Sequence, residues 1–180
     1  LLASSLVLLP LAVQAENHIK ASTELGYIAT SGNTDNETLI FKFDVEHNWE
    51  TWRNKLHGET LKTDASGTTS AEKYRIEDQL DYKFNKTDYV FANAEYEDDR
   101  FSGFDYTAKL AAGYGHRLLD SDIHTLDLEA GPSQRYFKAD VDGAKDKGEL
   151  LGRFNANYLY NFSKSANFQQ KLEYEAGEDS

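Results

Sequence analysis

Between Leu39 and Glu46 the chain alternates: Leu39, Phe41, Phe43 and Val45 share one parity, while Lys42, Asp44 and Glu46 share the other. Successive side chains of a β-strand point to opposite faces, so this stretch makes a strand with one greasy and one charged face. Such a strand lies between an apolar and a polar environment, and the fold turns on which of the two is inside. The same period recurs in about nine segments separated by turn-like clusters.

The first segment, roughly 19–29, sets Ile19, Ala21, Leu25, Tyr27 and Ala29 against Lys20, Ser22 and Glu24. The second is the alternating stretch itself, ending near Trp49. A weaker third sets Trp52, Leu56, Gly58 and Thr60 against Arg53, Lys55, His57 and Glu59. In the fourth, Tyr74, Ile76, Leu80, Tyr82 and Phe84 oppose Arg75, Glu77, Gln79, Asp81 and Lys83. The fifth has Val90, Ala92, Ala94 and Tyr96 against Asn93 and Glu95; the sixth has Tyr106, Ala108, Leu110, Ala112 and Tyr114 against Lys109, Gly113, Gly115 and Arg117. Leu126, Leu128 and Ala130 face away from Asp127 and Glu129 in the seventh, and Leu150, Phe154, Ala156 and Tyr158 from Arg153, Asn155 and Asn157 in the eighth. The ninth sets Phe168, Leu172 and Tyr174 against Lys171, Glu173 and Glu175. No comparable segment carries a helical period. The expected fold is all-β, an antiparallel up-and-down transmembrane β-barrel.

Tight turns are expected near 50–51, 85–88, 120–122 and 163–166, and longer loops at 31–37, 63–71, 97–104 and 138–148. Short turns at one end and long loops at the other are the pattern of an outer-membrane barrel whose short turns are periplasmic. Leu1 to Ala15 is uncharged and mostly apolar, with Val13 and Ala15 at small-residue positions before Glu16. It reads as an export signal cut at its own start, and is too short for a spanning helix of about 20 residues. Residues 16–180 are then one barrel domain.

Composition narrows the function. There is no Cys, so neither disulfides nor thiolate metal sites are available. A net charge of −12 argues against nucleic acid, which needs a basic stripe. Low mean hydropathy excludes a helical membrane protein and leaves a β-barrel open, since only every second strand residue of a barrel meets lipid.

Two arrangements fit the two-faced strands. A lipocalin-like soluble periplasmic barrel points its greasy face inward around an apolar ligand. A membrane barrel points it at lipid and lines its interior with charge. The greasy face carries Tyr27, Tyr74, Tyr82, Phe84, Tyr96, Tyr106, Tyr158, Tyr160 and Phe162 toward strand ends, as interfacial girdles do. Packed inward, so many rings would crowd a small barrel. The membrane arrangement is therefore expected, with Phe41, Leu80 and Phe154 outward as the discriminating positions. Lys42, Arg53, Arg75, Lys109 and Arg153 would then lie inside beside Asp44, Glu59, Glu77, Asp81 and Glu129, forming an ion-paired plug more than a wide pore. Asp78 breaks the pattern by sharing the parity of Tyr74, Ile76 and Leu80. Either a β-bulge shifts its phase or it meets a polar partner such as a neighbouring protomer; the bulge, or a shallow location, is expected.

Several patches, taken together, resemble a known family: Gly26-Tyr27-Ile28-Ala29-Thr30-Ser31-Gly32-Asn33-Thr34-Asp35, Trp52-Arg53-Asn54, Arg100-Phe101-Ser102-Gly103-Phe104-Asp105-Tyr106, Gly113-Tyr114-Gly115-His116-Arg117 and Leu128-Glu129-Ala130-Gly131-Pro132. The chain is similar to the DUF481 family, the YdiY-like salt-induced outer-membrane proteins of Gram-negative bacteria, over essentially everything after the signal. The resemblance implies an outer-membrane barrel in contact with lipid and delivered by the outer-membrane assembly machinery, with salt or osmotic stress as a setting. It brings no catalytic residues. On physical grounds, Gly113 and Gly115 fall on the polar face, where a missing side chain permits a bend or makes room for a bulky neighbour.

The five histidines (18, 47, 57, 116 and 124) are scattered, and only His57 falls clearly on the polar face. No spacing joins it to a nucleophile, so no enzyme is expected. Asp140-Val141-Asp142-Gly143 with Glu149 matches part of a calcium loop, yet Lys138 occupies the first ligand position. No catalytic, cofactor or metal site residue is assigned, and no small-molecule ligand. Nine strands do not close a standard bacterial barrel, which uses an even number. A chain incomplete at both ends is expected, from a protein of ten to twelve strands.

Overall fold

The structure, a computed structural model, describes residues 2–14, 19–31, 35–141, 145–163 and 166–177, the first of these segments and Ser31 by backbone alone. The described residues form one ten-stranded antiparallel sheet whose order follows the sequence. The strands are β1 (Leu2–Gln14), β2 (Ile19–Ser31), β3 (Asn36–Asn48), β4 (Trp52–Ala65), β5 (Thr68–Lys83), β6 (Asp88–Asp99), β7 (Phe104–Asp120), β8 (His124–Ala139), β9 (Lys147–Ser163) and β10 (Ala166–Gly177). The nine alternating segments are β2 to β10. They curl into a half-barrel, and β2 and β10 are not neighbours in the sheet. The stretch expected as an export signal lies beside β2 as an edge strand, Leu2 opposite Ser31 and Gln14 opposite Lys20, with a register shift between Leu8 and Leu11.

Two sequence expectations change. Residues 63–71, read as a long loop, are mostly strand: β4 and β5 continue to a two-residue turn at Ser66 (φ 50°) and Gly67 (φ 78°). Positive φ at both central residues matches the twist of a hairpin, and the Thr- and Ser-rich flanks that suggested a loop sustain the ladder. One register shift, between Thr63 and Asp64, accommodates the extension. Asp78, for its part, sits in an unbroken register, opposite Leu56 on β4 and Ala94 on β6. No bulge turns it inward. It stays on the convex face, where Asn54 Nδ2 donates to its Oδ1 at 2.7 Å.

The polarity of the sheet is inverted relative to a soluble core. Phe41, Leu80 and Phe154 are 39%, 41% and 45% exposed, while Arg53, Asp81, Asp127, Glu129 and Arg153 are buried. Parity separates the two sets, and the curl of the sheet places the greasy set on its convex face and the charges on its concave one. Convex rings gather near the strand ends. At the end with turns 49–51 and 84–87, Trp52 lies 5.0 Å from Tyr82 and Tyr82 5.5 Å from Phe84. At the opposite end Tyr96 stacks on Tyr106 at 6.0 Å.

Glycines shape the concave face where β6, β7 and β8 meet. A Cβ on Gly115 would lie 2.2 Å from the Tyr89 ring, so only glycine leaves that ring its place. Gly113 and Gly131 press backbone on backbone: a Cβ on Gly113 would meet the Ala130 carbonyl oxygen at 2.2 Å. Gly115→Leu is expected to destabilise the fold by about 1–3 kcal/mol, the usual range for overpacking, whereas Gly67→Asn, in a turn that tolerates positive φ, should change it little. Denaturant unfolding of the refolded protein in detergent micelles measures both.

Candidate functional site

The concave face concentrates the chain's chemistry, and two ion-pair networks fill it. In the first, Arg53 at the start of β4 stands opposite Asp81 on β5. Arg53 Nε donates to Asp81 Oδ2 at 2.6 Å, and Arg53 Nη1 reaches Asp127 on β8 at 3.5 Å. Arg117 on β7 grips Asp127 with two bonds, of 2.7 and 3.0 Å. Lys55 lies 3.5 Å from Asp81 and 3.9 Å from Glu129. Glu129 also accepts hydrogen bonds from Gln79 at 2.8 Å, Tyr89 at 2.9 Å and Asn155 at 3.0 Å.

The second network lies further along the same strands. Arg75 Nη2 sits 2.6 Å from Glu95 and 3.0 Å from Glu77. Glu77 takes Asn93 Nδ2 at 2.9 Å and Lys171 Nζ, from β10, at 3.2 Å. Arg153 bridges Glu173 at 3.0 Å and approaches Glu77 at 3.8 Å. Lys109 meets Glu175, Glu173 and Glu95 at 3.1, 3.4 and 3.7 Å. Arg53–Asp127 and Lys171–Glu77 join strands that are not neighbours in the sheet, so both reach across the concavity.

Each network balances. Arg53, Lys55 and Arg117 face Asp81, Asp127 and Glu129; Arg75, Lys109, Arg153 and Lys171 face Glu77, Glu95, Glu173 and Glu175.

Of the ten charges expected inside, seven meet here: Arg53, Arg75, Lys109, Arg153, Glu77, Asp81 and Glu129. Lys42, Asp44 and Glu59 stand apart on β3 and β4, where His57 Nδ1 lies 2.8 Å from Asp44 and Nε2 3.8 Å from Glu59. His57 thus sits between two carboxylates. His116 engages Asp88, and His124 the Tyr158 hydroxyl. Tyr89 and Phe91 escaped the sequence reading. Both are buried on the concave face, where Arg53 lies 4.8 Å from the Tyr89 ring centroid and Arg153 5.9 Å from that of Phe91. Their parity with Asn93 and Glu95 was the available signal.

Asp142 and Gly143 of the calcium-like loop fall outside the described residues. Lys138 pairs with Asp105 at 2.5 Å. Among the described residues no group of three or more His, Asp or Glu is placed to hold a metal.

Arg53→Met strips buried Asp81 of its shortest ion pair and is expected to lower unfolding free energy by about 3–5 kcal/mol. Adding Asp81→Leu removes the stranded charge and should recover much of that loss. Guanidinium titrations followed by fluorescence of Trp49 and Trp52 compare the three proteins; equal loss in the single and double variants would contradict the pairing.

Residues 23–180 match the family model described as "Protein of unknown function, DUF481". The uncharacterized protein YdiY of Escherichia coli (strain K12) is 28% identical over 165 residues, which cover 92% of this chain and 65% of that protein. The chain therefore spans somewhat less than two thirds of that relative's length. No solved structure matches. The patches 26–35, 52–54, 100–106, 113–117 and 128–132 that carry the resemblance all lie within the matched span, and the chain belongs to the DUF481 family.

Proposed function

We propose that this chain is a non-enzymatic outer-membrane β-barrel, exported by residues 1–15, whose interior is closed by paired charge. The carrying observation is the inverted polarity: Phe41, Leu80 and Phe154 face outward while Asp81 has no exposed surface. In water that arrangement leaves a continuous greasy belt in contact with solvent, far beyond the patches soluble monomers tolerate. Against hydrocarbon the same belt is favourable. The stretch from Tyr74 to Tyr82 spans about 27 Å at ~3.4 Å per residue. With a tilt of ~40° that is roughly 20 Å along the membrane normal, close to the ~25 Å apolar band of such barrels. A soluble barrel holding an apolar ligand would need these side chains turned inward, and the interior is occupied by the two ion-pair networks instead.

The role that fits is an envelope protein with a narrow or closed lumen, embedded in outer-membrane lipid, with salt or osmotic stress as its setting. On fractionation of cells producing the full-length protein, recovery is expected with outer membranes, starting near Glu16 by N-terminal sequencing. Unheated samples should migrate faster on gels than boiled ones. Release into the soluble periplasmic fraction would overturn the membrane reading. In planar bilayers the unaltered protein is expected to show little conductance. Glu77→Ala with Lys171→Ala, which removes a bridge across the interior, should raise it. A steady large conductance from the unaltered protein would contradict the closed interior.

A further inference from the structure

We draw no further inference here: the strongest candidate, the alanine-floored depression on the convex face over β6–β8 between Asp78 and Gln134, carries nothing, because nothing in the structure shows what covers it.

Discussion

The contact between Arg53 and Asp81 is where the inverted sheet makes its strictest demand. Asp81 has no exposed surface, Arg53 is 4% exposed, and their closest atoms are 2.6 Å apart. A carboxylate withdrawn from water costs several kcal/mol unless it is paired and hydrogen-bonded. Asp81 has Arg53, Lys55 and the Gln79 amide around it. Meeting that demand takes more than the β4–β5 ladder, because Arg53 also answers to Asp127, four strands along the sheet. The curl that brings β8 across to β4 and the neutralisation of the interior are therefore one condition.

The same pairs choose the register. A slip of one residue between β4 and β5 would carry Arg53 and Lys55 to the convex face and Trp52 and Leu56 to the concave one. In a sheet with one solvated face, a slip is resisted mainly by the apolar side. Here both faces resist it, since every displaced charge also loses a partner held by another strand. Buried ion pairs add little stability compared with apolar groups of the same volume. Their contribution in this fold lies in selecting one alignment among many alternating strands that otherwise look alike.

Parity made much of this legible in the sequence. The nine segments and the two sets of residues that share a face follow from a two-residue period, because backbone geometry fixes them; the outward direction of Phe41, Leu80 and Phe154 was legible from the rings gathered toward the strand ends. Partners do not follow. Nothing local in the sequence joins Lys171 to Glu77, which depends on how far the sheet curls. Asp78 shows the limit from the other side: a carboxylate on the greasy parity suggested a bulge, whereas the ladder runs straight there and Asn54 donates to the carboxylate on the convex face. Residues 63–71 misled for a related reason. Small polar residues make good loops, and they also make good strand extensions where neither face must be greasy.

Tyr89 and Phe91 show why a polar interior still needs rings. The two most buried cations, Arg53 and Arg153, lie against these aromatics, and their side chains retain 5% and 3% of their exposure. Lys55, Lys109 and Lys171 keep 27%, 20% and 42%. A guanidinium is weakly hydrated and stacks flat on a ring, whereas an ammonium is compact and strongly hydrated. The deepest positions thus fall to arginine on aromatic supports, and the lysines close the networks nearer water. Gly115 belongs to the same arrangement, since a side chain there would displace the Tyr89 ring, and with it both the surface beneath Arg53 and the hydroxyl that Glu129 accepts.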